Sequence, residues 1–199
     1  MSRPAVAGLI AAAALAVLTP LPLAAHEGGS AAGLISGLLH PVTGLDHVLA
    51  MVAVGIWGAQ LGAPAIWVLP VTFPMVMALG GMAGLLGLSL PGVEVGIGLS
   101  ALLLGAMVAM ERRPDLRAAA MLVGFFAVFH GYAHGTELPD GQSGLLYSIG
   151  FVVSTGLLHG AGIGIGEVRR LPRGGMALRG VGGLIALAGI WFTWGAVVG

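Results

Sequence analysis

Residues 40–57 read His40-Pro41-Val42-Thr43-Gly44-Leu45-Asp46-His47-Val48-Leu49-Ala50-Met51-Val52-Ala53-Val54-Gly55-Ile56-Trp57. Two imidazoles and one carboxylate stand at the head of this segment, and every residue after His47 is uncharged. In a lipid bilayer each ionisable side chain costs a few kcal/mol, so such residues mark functional sites by default. The first question is therefore whether the segment lies in a membrane.

The composition is that of an integral membrane protein. Hydrophobic residues make up 57% of the chain and charged residues 8%, against roughly 45–50% and about 25% in soluble globular proteins. The formal net charge is zero, which argues against nucleic acid as a partner. Because the chain has no cysteine, any metal ligands would have to be His, carboxylate, Met or backbone groups.

Six long apolar runs predict an all-α, six-transmembrane-helix bundle, since each is near the roughly 20 residues needed to cross the hydrocarbon. The first helix is predicted to begin at Pro41, because proline suits the first helical position and pushes His40 toward an extended conformation. Pro70 and Pro74 are expected to kink the second helix. The predicted helices are about 41–61, 65–88, 93–110, 116–135, 144–165 and 178–198.

Residues 1–25 have the pattern of a secretory signal peptide. One arginine precedes an apolar run over residues 5–18, and small residues at 24 and 25 stand before a polar stretch. Cleavage after Ala25 would leave a single transmembrane domain, residues 26–199. An uncleaved first transmembrane helix is the alternative.

Arginines beyond the signal peptide lie at only two of the connections between the apolar runs. They are Arg112, Arg113 and Arg117 at the third connection and Arg169, Arg170, Arg173 and Arg179 at the fifth. If the signal peptide exports the mature N-terminus, six crossings put both connections in the cytoplasm, as the positive-inside rule requires. We therefore predict a protein of the bacterial inner membrane with both termini in the periplasm.

Glycine accounts for 36 of the 199 residues, and several glycines recur at four-residue spacing. Such pairs let helix backbones approach closely in lipid, and they also allow contacts in a homo-oligomer. The pairs are Gly80/Gly84, Gly92/Gly96, Gly131/Gly135, Gly156/Gly160 and Gly162/Gly166.

Two histidine-rich blocks fall at the same depth, because the first predicted helix runs inward and the fourth runs outward. The candidate metal ligands are His40, Asp46 and His47 in the first block and His130, His134 and Glu137 in the second. The last three share one face if the helix continues, since they stand four and three residues apart. The pattern predicts a metal or cation site on the periplasmic side between helices one and four.

Two features of the first block stay open. His40 and His47 would lie about 10.5 Å apart along an ideal helix, a long reach for one ion unless Gly44 or a bend at His40 shortens it. Asp46 could be a direct ligand or a partner that orients an imidazole.

Four residues are weaker candidates for a second metal site or a path through the protein. They are His26 beside the mature N-terminal amine, Met51 as a thioether, Glu94 at the start of the third helix, and His159 toward the cytoplasmic half. Packing explains Met51 and His159 as well, and the helix dipole explains Glu94. Tyr147, Ser154 and Thr155 are expected to hydrogen-bond between helices.

Three motifs resemble the HupE/UreJ family of bacterial membrane proteins. They are His40-x5-Asp46-His47, the block Phe129-His130-Gly131-Tyr132-Ala133-His134-Gly135-Thr136-Glu137, and Leu158-His159-Gly160. The resemblance covers essentially the whole mature chain. It implies a six-helix secondary permease that supplies nickel for hydrogenase or urease, with essential motifs in the first two blocks, but it does not fix the metal.

The residues and the resemblance together predict a permease, not an enzyme. Its expected cargo is a divalent transition metal, Ni²⁺ first and Zn²⁺, Co²⁺ or Cu²⁺ as alternatives. The ion would be captured by the histidines and passed inward by way of His159. A membrane metalloenzyme or a haem-binding electron carrier using the same histidines is the alternative function.

Overall fold

The computed structural model describes residues 30–199, so the predicted signal peptide and His26 lie outside the described residues. Within this range the chain is all-helical, as predicted, with seven α-helices, one 3-10 helix and no strand. The helices are α1 (Ser30–Thr43), α2 (Leu45–Leu61), α3 (Ala65–Leu85), α4 (Val93–Ala109), α5 (Leu116–Thr136), α6 (Gly144–Gly166) and α7 (Gly174–Val198), with the 3-10 helix at Glu167–Arg170.

Four of the described helices, α3, α5, α6 and α7, are long and apolar enough to cross a membrane, and the bent pair α1–α2 counts as a fifth span. Helix α4 has 17 residues, about 26 Å against a hydrocarbon thickness of about 30 Å. Large apolar side chains such as Trp67 and Trp191 are exposed on the outer faces, which is typical of contact with lipid. The chain is a membrane protein, and the count of six crossings stays a prediction.

The predicted start of the first helix at Pro41 is wrong. Pro41 lies inside α1, and His40 is helical instead of extended. Helix α1 packs along α6, where Gly33 and Gly37 are buried, and this packing overrides the local preference of the residue before proline. The chain breaks at Gly44, and α2 leaves at 82° to α1.

The other helix bounds follow the prediction closely, with two exceptions. Helix α3 ends at Leu85 instead of residue 88, and α7 begins at Gly174 instead of residue 178. Helix α3 continues through both Pro70 and Pro74. Neither proline therefore ends the helix.

Helix α2 is the centre of the bundle. Its Ala50, Val54, Ile56 and Trp57 have no exposed surface. The remaining helices pack in pairs around it, α3 with α5, α4 with α7, and α1 with α6. This arrangement surrounds the residues of the first block with the other helices.

Glycines join α3 to α5 by backbone contact. A Cβ on Gly80 or Gly84 of α3 would overlap the backbone of α5, and one on Gly131 or Gly135 of α5 would overlap the backbone of α3. The predicted close packing through these two pairs is confirmed. Because Gly131 and Gly135 directly follow two candidate ligands, this contact also positions the second block.

The two ends of α2 differ chemically. His47 lies in its first turn and Gln60 in its last, about 20 Å apart along the axis at 1.5 Å per residue. Gln60 lines a polar cavity of about 220 Å³ together with Glu111, Arg113 and Arg169. Both arginine-bearing connections therefore meet at the end of the bundle opposite the histidines, as the topology prediction requires.

Candidate metal centre

The break at Gly44 brings the two histidines of the first block together. The rings of His40 at the end of α1 and His47 at the start of α2 each lie 4.6 Å from the ring of His134, between centroids. On one straight helix the two residues would be about 10.5 Å apart along the axis. The bend that shortens this distance is at Gly44, and His40 itself stays helical.

The outer part of the centre consists of His40, His134 and Glu137. One possible ligand atom from each lies within 4.8 Å of the others, close enough to hold a metal ion. His40 Nε2 donates a hydrogen bond to Glu137 Oε2 at 2.9 Å, and the same oxygen lies 3.9 Å from His134 Nδ1. Glu137 is half-exposed while His134 is buried, so this trio leads from the surface into the bundle.

Asp46 orients the ring of His47. Its Oδ1 accepts hydrogen bonds from the backbone N–H and from Nδ1 of His47, each at 2.8 Å. A carboxylate on Nδ1 keeps the proton there and leaves the lone pair on Nε2. That Nε2 is buried and has no hydrogen-bond partner among the described residues. In this geometry Asp46 positions an imidazole and leaves its other nitrogen free to bind an ion.

Ser100 orients the ring of His130. The Ser100 hydroxyl donates to the carbonyl of Ile97 at 2.6 Å, and His130 Nε2 lies 2.8 Å from the same hydroxyl oxygen. Because the hydroxyl proton is already used, the ring donates from Nε2 and keeps its lone pair on Nδ1. Nδ1 of His130 is buried and also lacks a partner in the described structure.

The imidazoles form one contiguous group. The ring of His47 lies 4.7 Å from that of His130 and 4.6 Å from that of His134. Both ring nitrogens of His134 lack a hydrogen-bond partner among the described residues. Leaving a buried polar atom without a partner costs about 1–3 kcal/mol, so nitrogens gathered in this way form a candidate ligand site. Imidazole nitrogen and carboxylate oxygen suit divalent transition metals.

The weaker candidates do not join this group. Met51 lies in the apolar core with no exposed surface, as packing predicts. Glu94 is exposed in the first turn of α4, and no hydrogen bond or ion pair links its side chain to any described residue. His159 is also buried, and its ring contacts Phe73, which in turn contacts the ring of His130.

Three contributors were not found as site residues from the sequence. Ser100 is one hydroxyl in an apolar helix, and only the packing of α4 on α5 reveals its partner. Tyr147 was expected to hydrogen-bond between helices, but its hydroxyl and that of Thr155 have no partner in the described part of the chain. The ring of Tyr147 lies 5.8 Å from that of His40, so it forms part of the wall of the outer trio. Phe73 lies beneath the centre.

Comparison with known proteins agrees with the resemblance of the motifs. The chain matches the family described as HupE / UreJ protein over residues 13–192. It is also 46% identical over 165 residues to Protein HupE of Rhizobium leguminosarum bv. viciae, covering 83% of this chain and 86% of that protein. No solved structure gives a significant match. Because the family match spans nearly the whole chain, the protein belongs to the HupE/UreJ family.

Proposed function

We propose that this protein is a secondary permease that takes up a divalent transition metal ion through the histidine centre. The observation that carries the proposal is the convergence of His40, His47, His130 and His134 from three helices. Buried nitrogens of His47, His130 and His134 have no hydrogen-bond partner in the described structure. Asp46 and Ser100 orient two of these rings so that a lone pair remains on each. Such a centre strips water from an ion and replaces it with imidazole nitrogen.

Ni²⁺ is the proposed cargo. Nitrogen and oxygen ligands without thiolate also suit Co²⁺, Zn²⁺ and Cu²⁺, and Cu²⁺ has the highest intrinsic affinity for such ligands. Selectivity for Ni²⁺ must therefore come from the geometry of the centre and from metal availability. Family membership and the nickel-linked motifs of the sequence favour Ni²⁺ among the four.

The proposed orientation places the histidine centre at the periplasmic face of the bacterial inner membrane and the arginine-bearing end in the cytoplasm, following the positive-inside rule. It takes α1 and α2 as one bent crossing and α4 as a short one, which gives six crossings and puts both termini of the mature chain in the periplasm. An inside-negative potential then drives import, because a doubly charged ion gains about 4.6 kcal/mol per 100 mV. No nucleotide-binding motif is needed.

Uptake of radiolabelled Ni²⁺ into proteoliposomes with an inside-negative potential tests the proposal. His47→Ala and His130→Ala should each lower the initial rate by at least about tenfold, since each removes a ligand atom. Thr193→Val is the matched control, because among the described residues the Thr193 hydroxyl bonds only to the carbonyl of Gly189 in its own helix.

Competition by unlabelled Co²⁺, Zn²⁺ and Cu²⁺ in the same assay decides the cargo. The metal that suppresses Ni²⁺ uptake at the lowest concentration, and is itself taken up, is the preferred ion. Wild-type rates in both histidine variants would overturn the permease proposal.

A further inference from the structure

Two polar side chains of α6 lie beneath the histidine centre and take no part in it. Thr155 and His159 are four residues apart and so share one face of the helix, and both are almost completely buried. The Thr155 hydroxyl and both ring nitrogens of His159 have no hydrogen-bond partner among the described residues. Each buried polar atom without a hydrogen-bond partner costs about 1–3 kcal/mol. The presence of three such atoms on one helix face therefore needs an explanation.

A backbone oxygen is available at the same place. The imidazole of His159 lies next to the carbonyl of Pro70 on α3, without the geometry of a hydrogen bond. In a helix this carbonyl would accept from the N–H four residues later, but residue 74 is also proline and has no N–H. The two prolines, which do not end the helix, thus present an oxygen toward α6.

The ring of Phe73 contacts both the histidine centre and His159. The Phe73 ring has no exposed surface and lies 5.3 Å from the ring of His130 and 5.4 Å from that of His159, between centroids. Consecutive ring contacts therefore connect His47 to His130, His130 to Phe73, and Phe73 to His159.

We propose that Thr155, His159 and the Pro70 carbonyl form a second, inner metal-binding station, which accepts the ion after it leaves the histidine centre. The inference rests on the proposed permease function. One imidazole and two neutral oxygens are a poorer ligand set for a transition metal than several imidazoles and a carboxylate. A weaker station beyond a stronger one allows release inward, since conduction requires that bound ions can also leave.

His159→Leu and Thr155→Val test the inner station in the full-length protein, with Thr193→Val as the matched control. Equilibrium dialysis with Ni²⁺ in detergent measures how many ions bind, and proteoliposome uptake measures transport. His159→Leu should bind one ion fewer than wild type and lower uptake about tenfold or more. Its affinity for the ion held in the histidine centre should stay within about twofold of wild type, because residue 159 is not part of that centre. Thr155→Val should also lower the number of bound ions and the rate of uptake, each by less than His159→Leu does.

An unchanged number of bound ions in His159→Leu would overturn the inner station whether or not uptake falls, because a purely structural imidazole would leave that number unchanged. If His159→Leu does not fold, Thr155→Val decides, since exchanging a hydroxyl for a methyl preserves shape. Binding and uptake at the wild-type level in Thr155→Val would overturn the inference.

His47→Ala separates this failure from failure of the permease proposal. If His47→Ala abolishes uptake while His159→Leu behaves as wild type, only the inner station is wrong. If His47→Ala and His130→Ala both transport at the wild-type rate, the permease proposal is wrong and the inner station is overturned with it.

Discussion

Replacing Gly44 with alanine should weaken metal binding about tenfold. A Cβ at this position would lie 2.9 Å from Asp46 Oδ1 and 3.1 Å from His47 Nδ1, whereas ordinary van der Waals contacts begin near 3.4 Å. The backbone itself accepts alanine, because φ −97° and ψ 114° are open to any residue. The methyl group must therefore displace the carboxylate or the ring by a few tenths of an ångström.

The size of the effect follows from the bond that is disturbed. Asp46 Oδ1 and His47 Nδ1 form the 2.8 Å hydrogen bond that orients the ring. A hydrogen bond to a charged group contributes roughly 1.5–3 kcal/mol, and losing the partner that orients a metal ligand costs about 10- to 100-fold in affinity. Because the methyl distorts the bond without removing it, we expect the lower end of this range.

Calorimetric titration of the detergent-purified protein with Ni²⁺ measures the change. Asp46→Asn shows how much affinity is lost when the carboxylate charge is removed. Gly183→Ala is the matched control, since a Cβ there would meet no described atom within 4 Å apart from the backbone of its own helix. Wild-type affinity in Gly44→Ala, together with clear weakening in Asp46→Asn, would refute the reasoning.

Two further variants test the contacts that hold the second histidine block, residues 130–137, in place. Ser100→Ala should lower Ni²⁺ affinity about tenfold without abolishing binding, because His130 loses its hydroxyl acceptor, and an unchanged calorimetric affinity would mean that Ser100 does not orient the ring. Gly131→Ala should lower the free energy of unfolding by about 1–3 kcal/mol, because its Cβ would overlap the Met77 carbonyl of α3. Thermal unfolding in detergent measures this against Gly183→Ala, and a wild-type melting curve would contradict the backbone contact.

The meeting of the two blocks was predictable because it depends only on helix direction. The first predicted crossing, which contains α2, runs inward, and the fourth, which is α5, runs outward. These directions bring His47 and His130 to one depth whatever the side-chain details, and their rings lie 4.7 Å apart. The i, i+4 spacing of His130 and His134 likewise places both on one face. All-helical structure followed from composition and run length.

The position of the break in the first block and the hydrogen-bond partners of the histidines were not predictable, because they depend on how the helices pack. Pro41 favours a helix start locally, but the packing of α1 on α6 carries the helix past it and moves the break to Gly44. The partner of His130 is a serine on another helix, 30 residues earlier in the chain. The contact of the Asp46 carboxylate with Nδ1 of His47 depends on where the break at Gly44 places the two side chains.

The glycine contact between α3 and α5 sets the direction in which two imidazoles point. In an α-helix a shift of one residue rotates a side chain by about 100° and moves it about 1.5 Å along the axis. Gly131 and Gly135 fit against the backbone of α3 in one register, and His130 and His134 immediately precede them. Sliding or turning α5 by one residue would swing both rings away from His47. The register of one helix pair therefore determines both how tightly the bundle packs and where its nitrogens converge.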